Sequence, residues 1–282
     1  MWFNISTSME AIMNTVSPYK TILDQGNAYW MARLAKEVYK KTSSNNQMPD
    51  EDMILTSIKN DDDRFISVFG VDNNSAQAAL IEHDEYLCIT FRGTNEVADW
   101  LDNINAFSTN ELFGEFHRGF YQSVEDVWPK LDSKCKALQK EKKRPLFFAG
   151  HSLGGAMATI AAAKYIHEDK PFTSVYTFGQ PRALTRVTSQ FFNVECKNRF
   201  FRFHNNNDIV TRVPARLMGY SHVGSYLYIS EEKLIHQDPG FWFRFVDYFD
   251  GALSALREKG IDGVEDHDMG RYLEAIEKWD LE

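Results

Sequence analysis

The hexapeptide Gly150-His151-Ser152-Leu153-Gly154-Gly155 constrains this chain more than any other stretch, because of what flanks it. Before it runs the apolar tetrapeptide Leu146-Phe147-Phe148-Ala149, suited to a buried strand. After it comes an alanine-rich segment, Ala156 to Ile166, suited to a helix. A G-x-S-x-G pentapeptide at a strand-to-helix turn is the sequence form of a nucleophile elbow. Such a turn is strained, so its flanking positions need glycine to keep Cβ atoms off neighbouring backbone. The serine hydroxyl is then held at the tip, above a helix N-terminus that favours developing negative charge. The bland alternative is a chance pentapeptide in an ordinary strand–turn–helix unit. The context on both sides weighs against it.

The rest of the chain supplies the framework that an elbow requires. From Asn27 to Lys41 the apolar residues Met31, Leu34, Ala35 and Val38 follow helical spacing, and Asn45, Asn46 and Pro49 mark a loop. Three β-rich runs follow, Phe65–Val71, Ala78–Ile81 and Tyr86–Phe91, punctuated by turn residues and read as a meander. Tyr121 to Leu138 reads as a helix that Pro129 could kink. Strand patterns at Pro145–Ala149, Ser174–Phe178 and Phe200–His204 then alternate with helical ones, and Ser225–Ile229 precedes two helical segments in the last third. Strand, helix, strand in succession implies an α/β fold, a mostly parallel sheet with helices on both faces. No linker or repeat interrupts it, so residues 1–282 read as a single domain.

Composition narrows the partners. Hydrophobic residues make up 43% and charged residues 25%, which excludes a mostly disordered chain. The net charge of −9 and the lack of a long basic run argue against nucleic acid and against long-range attraction to anionic lipid. They leave adsorption to a neutral oil surface open, since apolar area drives that. Three cysteines, an odd number at long spacings, suggest neither a disulfide framework nor a zinc site, and Cys88 lies in an apolar run expected in the core. No cofactor or metal is called for. Met1 to Pro18 lacks a basic start, Glu10 interrupts its apolar stretch, and no run of about 18 apolar residues exists. The expectation is a soluble chain without stable membrane insertion, cytoplasmic by preference, with secretion left open and the oligomeric state unassigned.

A serine hydroxyl needs a base, and the base needs a carboxylate to orient it. Behind an elbow of this kind the order along the chain is Ser, Asp or Glu, then His. Asp208 follows the strand Phe200–His204, which puts it on the same rim as the elbow, although an Asp there also reads as a simple Asx turn. Three histidines lie beyond it. His222 leads into a strand and reads as structural, and His236 sits in a polar loop and reads as solvated. His267, in Glu265-Asp266-His267-Asp268-Met269 before a terminal helix, ranks first by position, with a helix-start role as its alternative.

At this point the chain resembles the class 3, fungal-lipase-like lipases, over segments that run in the family's order from about Tyr86 to Tyr272. Phe91-Arg92-Gly93-Thr94 is similar to the family's oxyanion loop, His117-Arg118-Gly119-Phe120 to the start of its next helix, and Gly150 to Gly155 to its elbow. Tyr176-Thr177-Phe178-Gly179-Gln180-Pro181-Arg182 resembles the strand and turn that follow. Asn207-Asp208-Ile209-Val210-Thr211-Arg212-Val213-Pro214 resembles its acid segment, and Tyr220-Ser221-His222-Val223-Gly224 the run after the acid, whose histidine is not catalytic. Asp266-His267-Asp268-Met269 with Tyr272 resembles its histidine segment, the least specific match; the first 85 residues match nothing. The resemblance implies an α/β-hydrolase fold and a triad of Ser152, Asp208 and His267.

An oxyanion hole needs donors aimed at the tetrahedral oxygen. The elbow itself offers the backbone N–H of Leu153, and the resemblance adds Thr94, which as a plain helix cap would also be unremarkable. In Glu96 to Phe107, Val97, Trp100, Leu101 and Ile104 fall on one helical face and Asp99, Asp102 and Asn103 on the other. The resemblance makes this helix, about residues 96–107, a lid over the site; an ordinary surface helix is the alternative. The aromatic run Phe241 to Phe249 is too short to span a bilayer and reads as core. The expected activity is hydrolysis of carboxylic esters at an oil–water interface, triacylglycerols first. Phospholipase A1 and feruloyl-type esterase activities, and a non-catalytic binding module on the same fold, remain alternatives.

Overall fold

The computed structural model describes residues 15–43, 46–74, 76–94, 97–238 and 265–279. Its spine is an eight-stranded sheet: β1 (Phe65–Asn73), β2 (Ala76–His83), β3 (Leu87–Phe91), β4 (Leu146–His151), β5 (Ser174–Phe178), β6 (Phe200–Asn205), β7 (Ser225–Ile229) and β8 (Ile235–Gln237). Spatial order follows chain order from β1 to β8. The expected meander is present, with β1, β2 and β3 antiparallel. From β3 to β7 every pairing is parallel, and β8 closes the edge antiparallel.

The central strands read as unbroken apolar runs because both their faces are covered. β4 shows how. Its side chains alternate across the sheet, so Leu146 and Phe148 enter one buried cluster while Phe147 and Ala149 enter the other. The first cluster lies under two helices, α3 (Arg118–Glu141) and α4 (Leu153–His167); the second lies under α1 (Gln25–Glu37) and α5 (Met269–Glu277), which pack on each other. Between β3 and α3 stands the short helix α2 (Val97–Asn103). Truncating either buried phenylalanine of β4 to alanine would cost about 3–5 kcal/mol.

α3 runs through Pro129 rather than ending there. Val124, Val127, Trp128, Leu131, Cys135 and Leu138 form one buried stripe along it, and burial on both sides of the proline outweighs the lost backbone bond. The expected lid helix is shorter than its apolar spacing implies. It ends at Asn103, and Glu96 lies outside the described residues. Beyond Asn103 the carbonyls of Asn105, Ala106 and Phe107 accept from His117 Nε2, the Tyr220 hydroxyl and the Arg118 N–H. Those partners draw the chain into an extended path that enters a strand at Ser108. That strand joins a second sheet of four short strands, Ser108–Glu111, Gly114–His117, Leu184–Thr185 and Tyr220–Ser221, which sequence patterning did not signal. Helices at Glu51–Lys59 and Arg186–Cys196 were likewise not foreseen.

Cys88, Cys135 and Cys196 are free and buried. The aromatic run 241–249 lies outside the described residues, as does most of the N-terminal stretch read for a signal. No helix among the described residues is long and apolar enough to cross a membrane.

Candidate active site

Ser152 sits between the end of β4 and the first turn of α4 with φ 59° and ψ −132°. A non-glycine residue held there stores about 1–3 kcal/mol of strain, so its surroundings must over-determine it. They do. The Ser152 N–H donates to Phe178 O on β5 at 2.9 Å. A Cβ on Gly150 would stand 2.2 Å from Gly154 O, and one on Gly154 would stand 2.0 Å from Phe91 O on β3. Only glycine lets the turn close this tightly against its neighbours. Ser152 is the N-cap of α4 yet makes no side-chain cap bond, so its hydroxyl is not spent on the helix. Leu153 opens the helix, where a backbone N–H has no intrahelical acceptor.

Asp208 lies three residues past β6 and is fully buried. Its two oxygens do different work. Oδ1 accepts from the Val210 N–H at 2.9 Å, which is the Asx turn. Oδ2 accepts from His267 Nδ1 at 2.8 Å and from the Tyr272 hydroxyl at 2.6 Å. The Asx turn and the bond to His267 therefore use different oxygens. Burial pushes its carboxyl up, but the His267 imidazole, His204 and the Tyr272 hydroxyl outweigh that and bring it below the usual range. An ionised carboxylate accepts only, so His267 donates to it from a protonated Nδ1, and Nε2 is the ring nitrogen left facing away from the carboxylate.

His267 is 2% exposed. Asp268 after it caps α5, accepting from the Arg271 N–H at 3.2 Å, so the histidine does stand at a helix start. Its ring lies 4.5 Å, centroid to centroid, from that of His151, the residue before Ser152. Ser152 Oγ and His267 Nε2 are both buried without a hydrogen-bond partner. An orphaned buried polar atom costs about 1–3 kcal/mol, and these two, on His267 and on the residue after the His151 that it packs against, call for a reason beyond folding. His222 is structural as expected, donating from Nε2 to Thr211 O at 2.7 Å, and His236 is exposed, though on the edge strand β8 rather than in a loop.

Three residues that sequence reasoning left without roles tie these parts together. The Gly93 N–H donates to the Tyr39 hydroxyl at 3.0 Å, that hydroxyl donates to His151 Nδ1 at 2.7 Å, and His151 Nε2 donates to the His267 carbonyl at 2.7 Å. The chain of bonds requires a neutral His151. Burial, with His267 next to it, pushes this imidazole down to about 3. Tyr272, the third residue, bridges Asp208 Oδ2 and the Asn205 N–H. It stands on the buried stripe of α5 with Met269, Leu273 and Ile276. A tyrosine on such a stripe needs a partner for its hydroxyl, and that was the available signal.

The loop holding Thr94 is pressed against the elbow: a Cβ on Gly93 would lie 2.6 Å from Ser152 Cβ. Thr94, Val97, His151 and His267 line a cavity of about 710 Å³ that opens between this loop, the end of α1 and the start of α5. Ser152, Leu153, Thr94, Asp208 and His267 thus converge from four separate stretches of chain. Among the described residues no group of three or more His, Cys, Asp or Glu is placed to hold a metal ion.

The family model for lipase (class 3) matches residues 88–218. The secreted mono- and diacylglycerol lipase 1 of Fusarium solani is 27% identical over 183 residues, covering 64% of this chain and 54% of that protein. The chain thus spans about half the length of the relatives it aligns with. Among solved structures, a lipase from Rhizopus microsporus var. chinensis superposes with a TM-score of 0.63 at 22% identity, over 73% of this chain and 75% of that one. A mutant MDLA from Penicillium cyclopium gives 0.67 at 20% identity, over 94% and 96%. These likenesses establish the α/β-hydrolase fold.

Proposed function

Because residues 88–218 match the class 3 lipase family, we propose that this chain hydrolyses carboxylic esters of lipids, triacylglycerols first, with Ser152 as nucleophile. His267 Nε2 takes the serine proton as Oγ attacks the ester carbonyl. Asp208 holds the imidazole's tautomer and stabilises the imidazolium. The Leu153 N–H and Thr94 receive the oxyanion, a contribution of about 10²–10³ in turnover per donor. His267 then protonates the leaving alcohol and activates the water that frees the acyl group. Residues 1–282 act as one domain, with α2 as its lid.

The observation that carries this reading is the pair of buried, unpartnered atoms, Ser152 Oγ and His267 Nε2, with Asp208 hydrogen-bonded behind the histidine. In a site without substrate, catalytic hydrogen bonds are commonly loose and tighten when substrate binds. Lipid as the substrate class is supported by α2, whose Val97 lines the cavity with Thr94 and His267 and whose Trp100 packs on the core. An apolar helix at the edge of a site is suited to a substrate that can replace its packing.

The test is hydrolysis of a medium-chain ester by the parent and by Ser152→Ala, followed through the substrate's solubility limit. The variant should lose about 10⁴-fold or more in turnover, and the parent's rate should jump as droplets form. Equal rates for parent and variant would remove Ser152 from the mechanism. A Ser152-dependent rate that saturates below the limit would make the chain an esterase of soluble substrates.

A further inference from the structure

We infer that a second cavity, at the opposite end of β4 from the elbow, is a binding site for a long-chain aliphatic carboxylate. This cavity of about 550 Å³ falls within the common range for small-molecule sites, about 300–1,000 Å³. Leu146, where β4 begins, lines it, whereas Ser152 follows the strand's other end. Six residues of strand separate the two by about 20 Å.

Its walls have the two halves of such a ligand. The apolar part is built from Cys135, Leu146, Tyr165 and Phe172, all less than 9% exposed, with the open Tyr19 at the rim. The charged part is Lys136, Lys143, Arg144 and Lys170. No aspartate or glutamate is among the lining residues, in a chain where acids outnumber bases 40 to 31. The acids that pair with these cations are not among the lining residues: Asp132 serves both Lys136 and Lys170, Glu168 also meets Lys170, and Glu82 holds Arg144. The charged part of the lining is thus wholly basic, beside an apolar recess. That arrangement suits a ligand with an anionic head and a hydrocarbon tail: the head stays at the wet rim with the lysines, and the tail leaves water. A neutral lipid would leave the cations unused, and a small inorganic anion would leave the apolar walls unused. The assignment is independent of Ser152, so a chain without esterase activity could still bear it out.

The experiment is titration of laurate into the full chain, read by calorimetry and by backbone amide shifts. Laurate should saturate one site and move the amides of Lys143, Arg144, Leu146, Lys170, Phe172 and Thr173. Lys136→Glu with Lys143→Glu, both exposed and safe for folding, should raise Kd at least tenfold. In the parent, 1-dodecanol should bind at least tenfold more weakly than laurate. Shortening the chain should cost about fourfold per methylene. Shifts confined to the surroundings of Ser152 and His267 would place the ligand in the ester site and overturn the proposal. So would equal affinity for dodecanol, unchanged affinity in the double variant, or failure to saturate.

Discussion

Tyr39 and His151 show how much of the site rests on residues that never need to touch a substrate. The Tyr39 hydroxyl accepts from one buried loop and donates to His151, which in turn holds the backbone of His267. One oxygen atom therefore fixes the loop of Thr94 and the base relative to each other. Tyr39→Phe leaves the ring in place but strands the Gly93 N–H and His151 Nδ1. We expect a loss of about 1–3 kcal/mol in denaturant unfolding, and a fall of about tenfold in kcat with KM changed less than twofold, since sub-ångström placement governs the chemical step more than ground-state binding. Parent-like kcat and stability together would make the hydrogen-bond chain a bystander. Asp208 carries the same lesson. A single side chain makes the local turn with one oxygen and orients His267 with the other, so the structural and functional readings of an acid after a strand need not compete.

Among the elements, α2 is the one we propose as a lid. Trp100 stacks on Phe120 with ring centroids 5.9 Å apart and planes 21° apart, so the helix is held against the core by its aromatic face. On the proposed lid role, opening the site would require that face to leave the core, and a lipid surface can compensate for its exposure where water cannot. Trp100→Ala weakens both the hold in water and the gain at the interface. The ratio of turnover above the solubility limit to turnover below it should fall several-fold, with hydrolysis of dissolved substrate maintained or raised. An unchanged ratio would mean that α2 is a fixed wall. The helix is short because three carbonyls after Asn103 are taken by His117, Tyr220 and Arg118. The length of α2 is therefore set by the small second sheet and the start of α3, not by its own apolar spacing.

For the molecule as a whole, buried histidines set the acid limit of stability. His83, His117 and His151 are each at most 5% exposed, and burial is the largest cause lowering all three, His151 to about 3. The unfolded chain takes up these protons near 6.5 and the folded chain only lower. Stability is therefore lost as pH falls from about 6.5 towards the folded values, by up to about 1.4 kcal/mol per pH unit for each group while it lies within its window. The net charge of −9 works the other way, because acid relieves repulsion, but those charges are mostly exposed and screened by salt. Tm should accordingly drop between pH 7 and pH 5. A flat or rising Tm over that interval would mean that these histidines titrate normally in the fold.

What the sequence determined by itself is whatever is written in short stretches. The elbow, the meander and the parallel strands all follow from turn chemistry or from periods of 2 and 3.6, which act over a few residues. Ser174–Phe178 and Ser225–Ile229 were legible to the residue for that reason. Where the structure went beyond the sequence, the determining contacts span long separations. Asp208 and His267 are 59 residues apart, Tyr39 and His151 112, and His151 and the His267 carbonyl 116. Position alone left His267 ranked against two other histidines, and nothing local marked Tyr39. The two- to four-residue strands of the second sheet are too short to carry a period, and they exist because partners reach them across the fold. Local pattern decides which elements a chain can form; only their packing decides which polar atoms are left buried, paired or poised, and that is where this site is made.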